Sequence, residues 1–281
     1  MTVDTVPASQ LYDLRRVEVD DVMDRVQKSL QLLLLPEGAV RKRRSIGAAT
    51  DRGTWVRIEC RGLERLDAQG WGIEAAEALR DVAKPEWYAG VSWFDPARRV
   101  MWRADETSYV EEQPVGNAAA ATGLPDAWWA ALDASLDAMA GHQVARLATP
   151  DCEPITQERV SSVIEKVLPH RVDSTIKEWT TAHADLNWAN LTGPNLYILD
   201  FEDWGRAPRG LDAANLWRSS LTVPEVADRV YRQRRADLES RTGQVMMVFY
   251  CAEIMSWADE SEPALAPAKT TVQGLLKGLA R

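Results

Sequence analysis

Cysteine and histidine are scarce in this chain. Its 281 residues include three cysteines and three histidines, and Cys60, Cys152 and Cys251 lie far apart in the sequence without a C-x-x-C pair. Zinc clusters and disulfide scaffolds both need several closely spaced ligands of these types. The sequence therefore excludes both, and its use of cysteine is typical of the reducing cytosol.

Long apolar runs and an excess of positive charge are also missing. The longest apolar run near the N-terminus, Leu32 to Leu35, is far too short to span a bilayer. The segment before it carries acidic residues where a signal peptide has an apolar core. The formal net charge is −9, and nucleic-acid-binding surfaces are basic. We therefore expect a cytoplasmic protein that binds neither membranes nor nucleic acid.

The N-terminal part of the chain predicts a small α+β region. The overall composition is 46% hydrophobic and 27% charged, which is ordinary for a globular protein. Apolar spacing predicts helices over residues 22–35 and 71–82, the first capped by Asp20 or Asp21. Alternation and turn residues predict strands over residues 41–49, 54–60, 89–94 and 99–103.

The composition changes near Glu111, where the segment EEQPVGNAAAATGLP has the character of a linker. Beyond it the chain is predicted to be mainly helical, with a short β-containing core. The predicted elements are helices over 126–139 and 156–168, strands over 179–182 and 196–199, and helices from Leu211 onward. A small α+β region is thus followed by a larger helical one.

The residues that indicate chemistry lie between Thr181 and Gly205, in the stretch THADLNWANLTGPNLYILDFEDWG. His183, Asp185 and Asn190 form the pattern H-x-D-x-x-x-x-N, and the predicted strand 196–199 ends at Asp200. A hairpin built this way brings two carboxylates and an amide together. Such oxygen ligands suit Mg²⁺, which binds through one or two carboxylates together with substrate phosphates.

Phosphoryl transfer uses these residue types at this spacing. Asp185 is predicted to be the catalytic base that accepts the proton of an acceptor hydroxyl, and Asn190 and Asp200 are predicted metal ligands. The metal is needed because the transferring group carries spread negative charge. His183 is interpreted as a brace of the loop. The alternative is a surface loop that is rich in Asp and Asn because turns favour them.

At these residues the chain resembles the aminoglycoside phosphotransferase family, through the runs HADLNWANL and LYILDFEDWGRAPRGLDAANLW. The resemblance implies a bilobal protein-kinase-like fold of the α+β class. Residues 1–110 would form an ATP-binding lobe with a leading helix, and residues 111–281 a catalytic and substrate-binding helical lobe. It also implies ATP, Mg²⁺ and a hydroxyl acceptor. The family usually has Gly and His where this chain has Ala184 and Asn187.

Four further residues near the motif each have more than one interpretation. Asp212 braces the catalytic loop by the resemblance, or it stabilises the dipole of the helix that it begins. Glu202 and Asp203 extend the metal site or attract a cationic acceptor, or they are solvated charges in a loop. Trp188 packs beneath the catalytic loop or contacts the acceptor.

The nucleotide phosphates have a weaker signature. Residues 45–53 contain two glycines but no G-x-G-x-x-G, so the phosphate-covering turn expected there is equally an ordinary hairpin. The strand TWVRIE offers Arg57 where a kinase has lysine, and arginine can grip phosphate through two hydrogen bonds. Glu74 or Glu77 would be its partner on the following helix. The alternative is that Arg57 is an exposed strand residue.

The adenine site is predicted from the end of the last strand of the first region. In the fold that the resemblance implies, the adenine edge bonds backbone groups of the segment that joins the lobes. Trp102, Arg103 and Ala104 are the residues predicted there. The tryptophans at helical spacing, Trp128 and Trp129 among them, are better interpreted as core.

Three functions fit this sequence. The leading hypothesis is an ATP- and Mg²⁺-dependent kinase that acts on a hydroxyl of a small molecule, either aminoglycoside-like or another natural product. The second is a kinase that phosphorylates Ser or Thr of a ribosomal precursor peptide together with a lyase partner. The third is a pseudokinase, which the missing lysine favours and the intact Asp185, Asn190 and Asp200 oppose.

Overall fold

The computed structural model describes residues 12–63 and 71–280. The chain divides into two compact units, Met1–Ala78 with Pro85–Glu111 and Leu79–Lys84 with Glu112–Arg281. The short segment Leu79–Lys84 thus belongs to the second unit, although it lies between two parts of the first in the sequence.

The first unit is built on a five-stranded antiparallel sheet. Its strands are β1 (Val40–Arg41), β2 (Ser45–Ala49), β3 (Thr54–Gly62), β4 (Trp87–Asp95) and β5 (Val100–Ser108). They lie side by side in the order β1-β2-β3-β5-β4. This confirms the α+β class and the strands predicted over 54–60, 89–94 and 99–103, and β3 is the central strand. The strand predicted over 41–49 is instead two antiparallel strands, β1 and β2, joined by a turn.

One face of the sheet forms the core of the first unit. Alternate residues of β3, among them Val56 and Ile58, are buried on this face with Trp102 of β5. The helix α1, Asp20–Leu30, contributes Val22 and Val26 to the same core. The opposite face of β3 and β5 therefore carries most of the charged residues of both strands, because side chains alternate along a strand. Glu106 of β5 is the exception, since it is buried opposite Val56.

The helix α1 ends earlier than predicted and lacks the predicted cap. Gln31 adopts a left-handed conformation, so the leucines that follow leave the helix and Leu33 is 60% exposed. The amide of Leu33 donates to Asp51 in the β2–β3 turn at 2.9 Å, a long-range contact that local spacing does not encode. At the other end, Asp21 pairs with Arg98 instead of capping the helix.

The helix predicted over residues 71–82 is also shorter. Only α2, Gly72–Ala75, and one 3₁₀ turn, Ala76–Ala78, form there. Arg80, whose amide would continue a helix, donates instead to the ring of His142 at 3.0 Å. At Arg80, this hydrogen bond within the second unit overrides helix propensity.

The second unit is mainly helical. Its helices are α3 (Asp126–Gly141), α4 (Gln157–Val167), α5 (Leu211–Arg218), α6 (Pro224–Gln233), α7 (Arg235–Leu238), α8 (Arg241–Trp257) and α9 (Leu265–Leu279). The helix α8 is buried on most of its circumference and contacts α4, α5, α7 and α9. It is therefore the central element of this unit. Within the described residues, no helix has the length and apolar character needed to cross a bilayer.

Two short strand pairs position the motif. The strand β7 (Trp179–Ala182) pairs with β9 (Gly205–Pro208), and β6 (Gln113–Pro114) pairs with β8 (Thr192–Gly193). The predicted strand over 196–199 does not form, and a single bridge joins Leu191 to Ile198. The amide of Leu199 still donates to the carbonyl of Asn190 at 2.8 Å. The two ends of the motif are thus brought together by a hairpin with little regular strand.

Candidate active site

The catalytic loop begins where β7 ends, and the first turn of α5 holds it. The carboxylate of Asp212 accepts the backbone amide of His183 at 2.7 Å and that of Ala184 at 2.8 Å. Asp212 is only 8% exposed, and burial raises its pKa although both amides favour its charged form. The geometry is that of a brace, since both carboxylate oxygens are bonded to the loop backbone.

The ring of His183 joins the two ends of the motif. It is fully buried, and its Nε2 donates to the carbonyl of Leu199 at 2.8 Å, while its Nδ1 accepts the amide of Asp185 at 3.3 Å. Phe201 packs edge-on against it with ring centroids 4.8 Å apart. Both nitrogens are therefore occupied within the protein, as a brace requires and a proton carrier does not.

Asp185 is held by two side-chain amides. Asn187 donates to its Oδ1 at 3.0 Å, and Asn190 donates to its Oδ2 at 2.8 Å. Burial raises the pKa of Asp185, against the lowering effect of these hydrogen bonds and of His183, and the negative charge of Asp200 raises it further. Asp185 and Asp200 are thus close enough to interact electrostatically.

The oxygen atoms of Asn190 and Asp200 are suitable ligands for Mg²⁺. Both hydrogen bonds of the Asn190 amide nitrogen go to Asp185, so its Oδ1 is the amide atom left for a ligand. No group of three or more His, Cys, Asp or Glu side chains within residues 12–63 and 71–280 has metal-binding geometry. A site of Asp200 and the Asn190 oxygen suits an ion that keeps several waters and binds substrate phosphates.

Glu202 and Asp203 occupy different environments. Asp203 is 5% exposed, and its carboxylate accepts the hydroxyl of Thr149 at 2.9 Å. The interpretation of Asp203 as a solvated charge is therefore wrong, because a buried carboxylate bonded in this way supports the loop. Glu202 is partly exposed, and its carbonyl accepts Arg146 at 2.6 Å.

Trp188 packs beneath the catalytic loop. It is 2% exposed, its indole nitrogen donates to the hydroxyl of Ser220 at 3.0 Å, and it contacts the rings of Trp128 and Trp129. Of its two interpretations, the structure supports the packing one. Its cluster with two residues of α3 anchors the loop to the helical unit.

The predicted phosphate-binding residues of the first unit are paired differently from expectation. Arg57 on β3 forms an ion pair with Glu59 at 2.5 Å. Glu74 pairs with Arg103 at 2.8 Å, and Glu77 accepts the amide of Trp87 at 3.3 Å. Glu74 thus bonds an arginine of β5, a partner that the spacing along α2 could not reveal.

The predicted adenine contact at Trp102, Arg103 and Ala104 is wrong. These residues lie in the middle of β5, which pairs with β3 on one side and β4 on the other, so their backbone groups belong to the sheet. The indole of Trp102 is fully buried. Arg103 is paired with Glu74 and Asp105. The strand continues to Ser108, five residues further than the sequence predicted.

The predicted phosphate-covering turn is also misplaced. Residues 45–49 form β2, and residues 50–53 form the turn to β3. The turn between the first two strands of the sheet is the preceding one, at residues 42–44, where the amide of Lys42 donates to the carbonyl of Ser45. The prediction failed because β1 has only two residues, too few for an alternation pattern.

Sequence reasoning missed Asn187. In the sequence it is only a position at which the chain differs from the family pattern, yet it bonds both the carboxylate and the carbonyl of Asp185. Its own Oδ1 accepts the amide of Ala189 at 2.9 Å. The available signal was the spacing D-L-N, because an Asn two residues after an Asp can reach back to it across a turn.

Comparison with known proteins shows the fold. No family model matches the chain, and no curated protein matches its sequence. Among solved structures, choline kinase LicA from Streptococcus pneumoniae is similar with a TM-score of 0.57 at 13% identity, covering 92% of this chain and 98% of that one. A thermostable mutant of aminoglycoside phosphotransferase APH(4)-Ia, in a ternary complex with AMP-PNP and hygromycin B, gives 0.56 at 14% identity with coverages of 92% and 98%.

A third similar structure is the amicoumacin kinase hAmiN in complex with AMP-PNP, Ca²⁺ and Ami. Its TM-score is 0.52 at 14% identity, and the match covers 95% of each chain. The three neighbours confirm the predicted resemblance at the level of fold, which is α+β and protein-kinase-like.

Proposed function

We propose that this protein is an ATP- and Mg²⁺-dependent phosphotransferase that transfers the γ-phosphoryl group to a hydroxyl of a small molecule. The observation that supports it is the environment of Asp185. Each of its carboxylate oxygens is bonded by a different asparagine, and its charge interacts with Asp200. Solved proteins of the same fold include small-molecule kinases, two of them with AMP-PNP bound.

Asp185 would act on the acceptor. A hydroxyl beside its carboxylate would lose its proton to Asp185 as the oxygen bonds to the γ-phosphorus, and the bond between that phosphorus and the bridging oxygen of ADP would break. A pKa raised by burial makes the carboxylate a stronger base than an exposed aspartate. The two asparagines fix its orientation, so the base is in place before the acceptor arrives.

The Oδ1 of Asn190 and the carboxylate of Asp200 would hold Mg²⁺. When bound, the ion neutralises the charge that builds up on the phosphate oxygens. Arg57 is the residue of the first unit that we assign to the phosphates, because its guanidinium is always charged and can bond two phosphate oxygens. Its ion pair with Glu59 would orient it, as a glutamate does for the lysine in kinases.

An acceptor screen tests the proposal. ADP release is measured with ATP and Mg²⁺ across a panel of hydroxyl compounds, for the wild type, Asp185→Asn and Asp200→Asn. We expect acceptor-dependent ADP release that falls at least about a thousandfold in both variants. Asp126→Asn is the matched control, since that carboxylate is 90% exposed in a surface ion pair, and it should keep the wild-type rate.

Two outcomes would contradict the proposal. Undiminished transfer by Asp185→Asn would remove the assigned base. Tight binding of Mg-ATP with no transfer to any acceptor would favour the pseudokinase hypothesis instead.

A further inference from the structure

A cavity opens beside the catalytic loop within the second unit. Its volume is about 390 Å³, which falls in the range of small-molecule sites. Three segments line it: residues 116–119 after β6, Asn187 and Trp188 of the catalytic loop, and Ser219, Thr222 and Val223 after α5. No sequence motif marks the first or the last of these segments.

The cavity has an apolar floor. The ring of Trp188 and the side chain of Ala118 are both almost fully buried, and Val223 stands beside them. Because Trp188 and Ala118 are almost fully buried, they close the cavity from below, and the partly exposed Val223 offers apolar surface to a ligand. The floor therefore suits a molecule with an apolar side, such as a sugar ring.

The rim of the cavity offers uncharged hydrogen-bonding groups. Asn117 accepts the amide of Ala120 with its Oδ1, which leaves its side-chain NH₂ to donate. The hydroxyl of Ser219 donates to the carbonyl of Leu216 at 2.8 Å, so its oxygen remains an acceptor. Thr222 is exposed, and its hydroxyl can act in both ways.

No charged side chain is among the described residues that line the cavity. A cation placed there would lose water without gaining a carboxylate, which is costly. A neutral molecule that carries hydroxyls can instead exchange its water for the donors and acceptors on the rim. The lining thus opposes the polyamine-like acceptor that the acidic composition suggested.

Asn187 joins this cavity to the predicted base. It lines the cavity, and its amide nitrogen lies 3.0 Å from Oδ1 of Asp185. One side chain therefore separates the cavity from the carboxylate. A molecule seated in the cavity would contact the side chain that holds this carboxylate in place.

We propose that this cavity binds the acceptor and selects an uncharged molecule rich in hydroxyl groups, of the glycoside or nucleoside type. The inference rests on the proposed function, because it takes the occupant of the cavity to be the molecule that is phosphorylated.

Direct binding tests the inference without catalysis. Saturation-transfer NMR is recorded for methyl glycosides and uridine as neutral probes, and for kanamycin and choline as cationic ones. The variant Thr222→Arg places a bulky cation at the rim, and Thr270→Arg makes the same change at an exposed position of α9. We expect at least one neutral probe to bind the wild type and Thr270→Arg alike, and to bind Thr222→Arg about tenfold more weakly or worse.

Three results would overturn the inference: binding only of the cationic probes, binding of the neutral probes to Thr222→Arg as to the wild type, or no binding of any neutral probe. Transfer assays separate it from the proposed function. If transfer to an acceptor is unaffected by Thr222→Arg, the proposed function stands and the assignment of this cavity to the acceptor is wrong. If Thr222→Arg weakens binding but no bound probe is phosphorylated, the cavity is a binding site and the proposed phosphotransferase function is contradicted.

Discussion

At the scale of single residues, hydrogen bonds from a few neighbouring side chains hold the catalytic loop in place. Asp212 bonds the backbone at His183 and Ala184, and Asn187 and Asn190 bond the carboxylate of Asp185. The loop has one turn of 3₁₀ helix, Trp188–Asn190, so its shape depends on these bonds more than on a regular backbone ladder.

Removing the amide of Asn187 should reduce the rate of transfer. A hydrogen bond to a charged group contributes about 1.5–3 kcal/mol, so we expect Asn187→Ala to lower kcat by about tenfold or more while the KM for ATP stays unchanged. Asn187→His supplies a ring N–H at the position where the resembled family has histidine, and should recover most of the rate. A wild-type kcat in Asn187→Ala would show that Asn187 does not position the base.

Ala184 has a conformation that favours glycine. Its φ is 72°, and a side chain in the left-handed region costs about 1–2 kcal/mol. Part of this is offset by the greater freedom of glycine in the unfolded chain. We therefore expect Ala184→Gly to raise the free energy of unfolding by about 0.5–1 kcal/mol, measured by urea denaturation.

Ala189→Gly is the matched control for Ala184. Ala189 lies in the same loop, is exposed and has no positive φ, so glycine there should leave stability unchanged or reduce it. Equal effects of the two substitutions would contradict the assigned strain.

Thiol reactivity gives a second residue-scale test. Cys60 and Cys251 are buried, and burial raises the pKa of each thiol to about 12. Cys152 is partly exposed. Because the thiolate is the reactive form, we expect a maleimide to label Cys152 alone in the native protein and all three cysteines in denaturant. Rapid native labelling of Cys251 would contradict the burial of α8.

At the scale of secondary-structure elements, close backbone contacts between helices position Asp212, the brace of the catalytic loop. The start of α8 approaches the end of α7 so closely that a Cβ on Gly243 would lie 1.8 Å from the carbonyl oxygen of Asp237. A Cβ on Gly210, the residue before α5, would lie 2.9 Å from the Cα of Gly243. Since α5 begins with Leu211 and carries Asp212, this contact sets where the brace stands.

Gly243→Ala should therefore destabilise the protein. The added methyl group meets backbone atoms that cannot rotate away, and overpacking of this kind costs about 1–3 kcal/mol or more. Gly274→Ala is the control, because Gly274 is also helical and a Cβ there meets nothing within 4 Å. It should stabilise by about 0.5–1 kcal/mol. Urea midpoints that move in the same direction for both would contradict the contact.

The elements that local patterns predict are the regular ones. The strands β3 and β4, the helices α3 and α4 and the start of α5 were found within a few residues, because their apolar spacing matches one buried face. The helices predicted over 22–35 and 71–82 were too long, since a bond to Asp51 and one to His142 end them. Such long-range partners leave no trace in a local window.

The candidate site shows the same division. The spacing of Asp185, Asn190 and Asp200 was sufficient to propose a phosphoryl-transfer site, and the resemblance added Asp212. The roles of Asn187, Asp203 and Glu74 depend on which side chain each one faces after folding. The environment of Asp203 follows from its burial. The pairing of Glu74 with Arg103 follows from the position of Arg103 in β5.

Charge is the dominant feature at the scale of the whole molecule. The chain carries a net charge of −9, and a nucleoside triphosphate is negatively charged as well. Repulsion between the two opposes binding unless a cation offsets it. We therefore expect the affinity for nucleotide to depend on the divalent ion more steeply than in a neutral protein.

Thermal stability should report this dependence. A ligand present at about 100 times its Kd stabilises the native state by about 2.7 kcal/mol, so AMP-PNP with Mg²⁺ should raise the Tm by about 5 °C. AMP-PNP with EDTA, or Asp200→Asn with Mg²⁺, should give a much smaller shift, whereas Asp126→Asn should behave as the wild type. An equal shift with EDTA would contradict a role for the metal.

The most direct test of the central claim is detection of a phosphorylated acceptor. The wild type and Asp185→Asn are incubated with ATP and Mg²⁺ and a panel of hydroxyl compounds, and each product is analysed by ³¹P NMR for a new phosphate monoester. We expect a monoester with the wild type on at least one uncharged acceptor and none with Asp185→Asn over the same time. Absence of a monoester from every wild-type reaction, or equal amounts from both proteins, would contradict it.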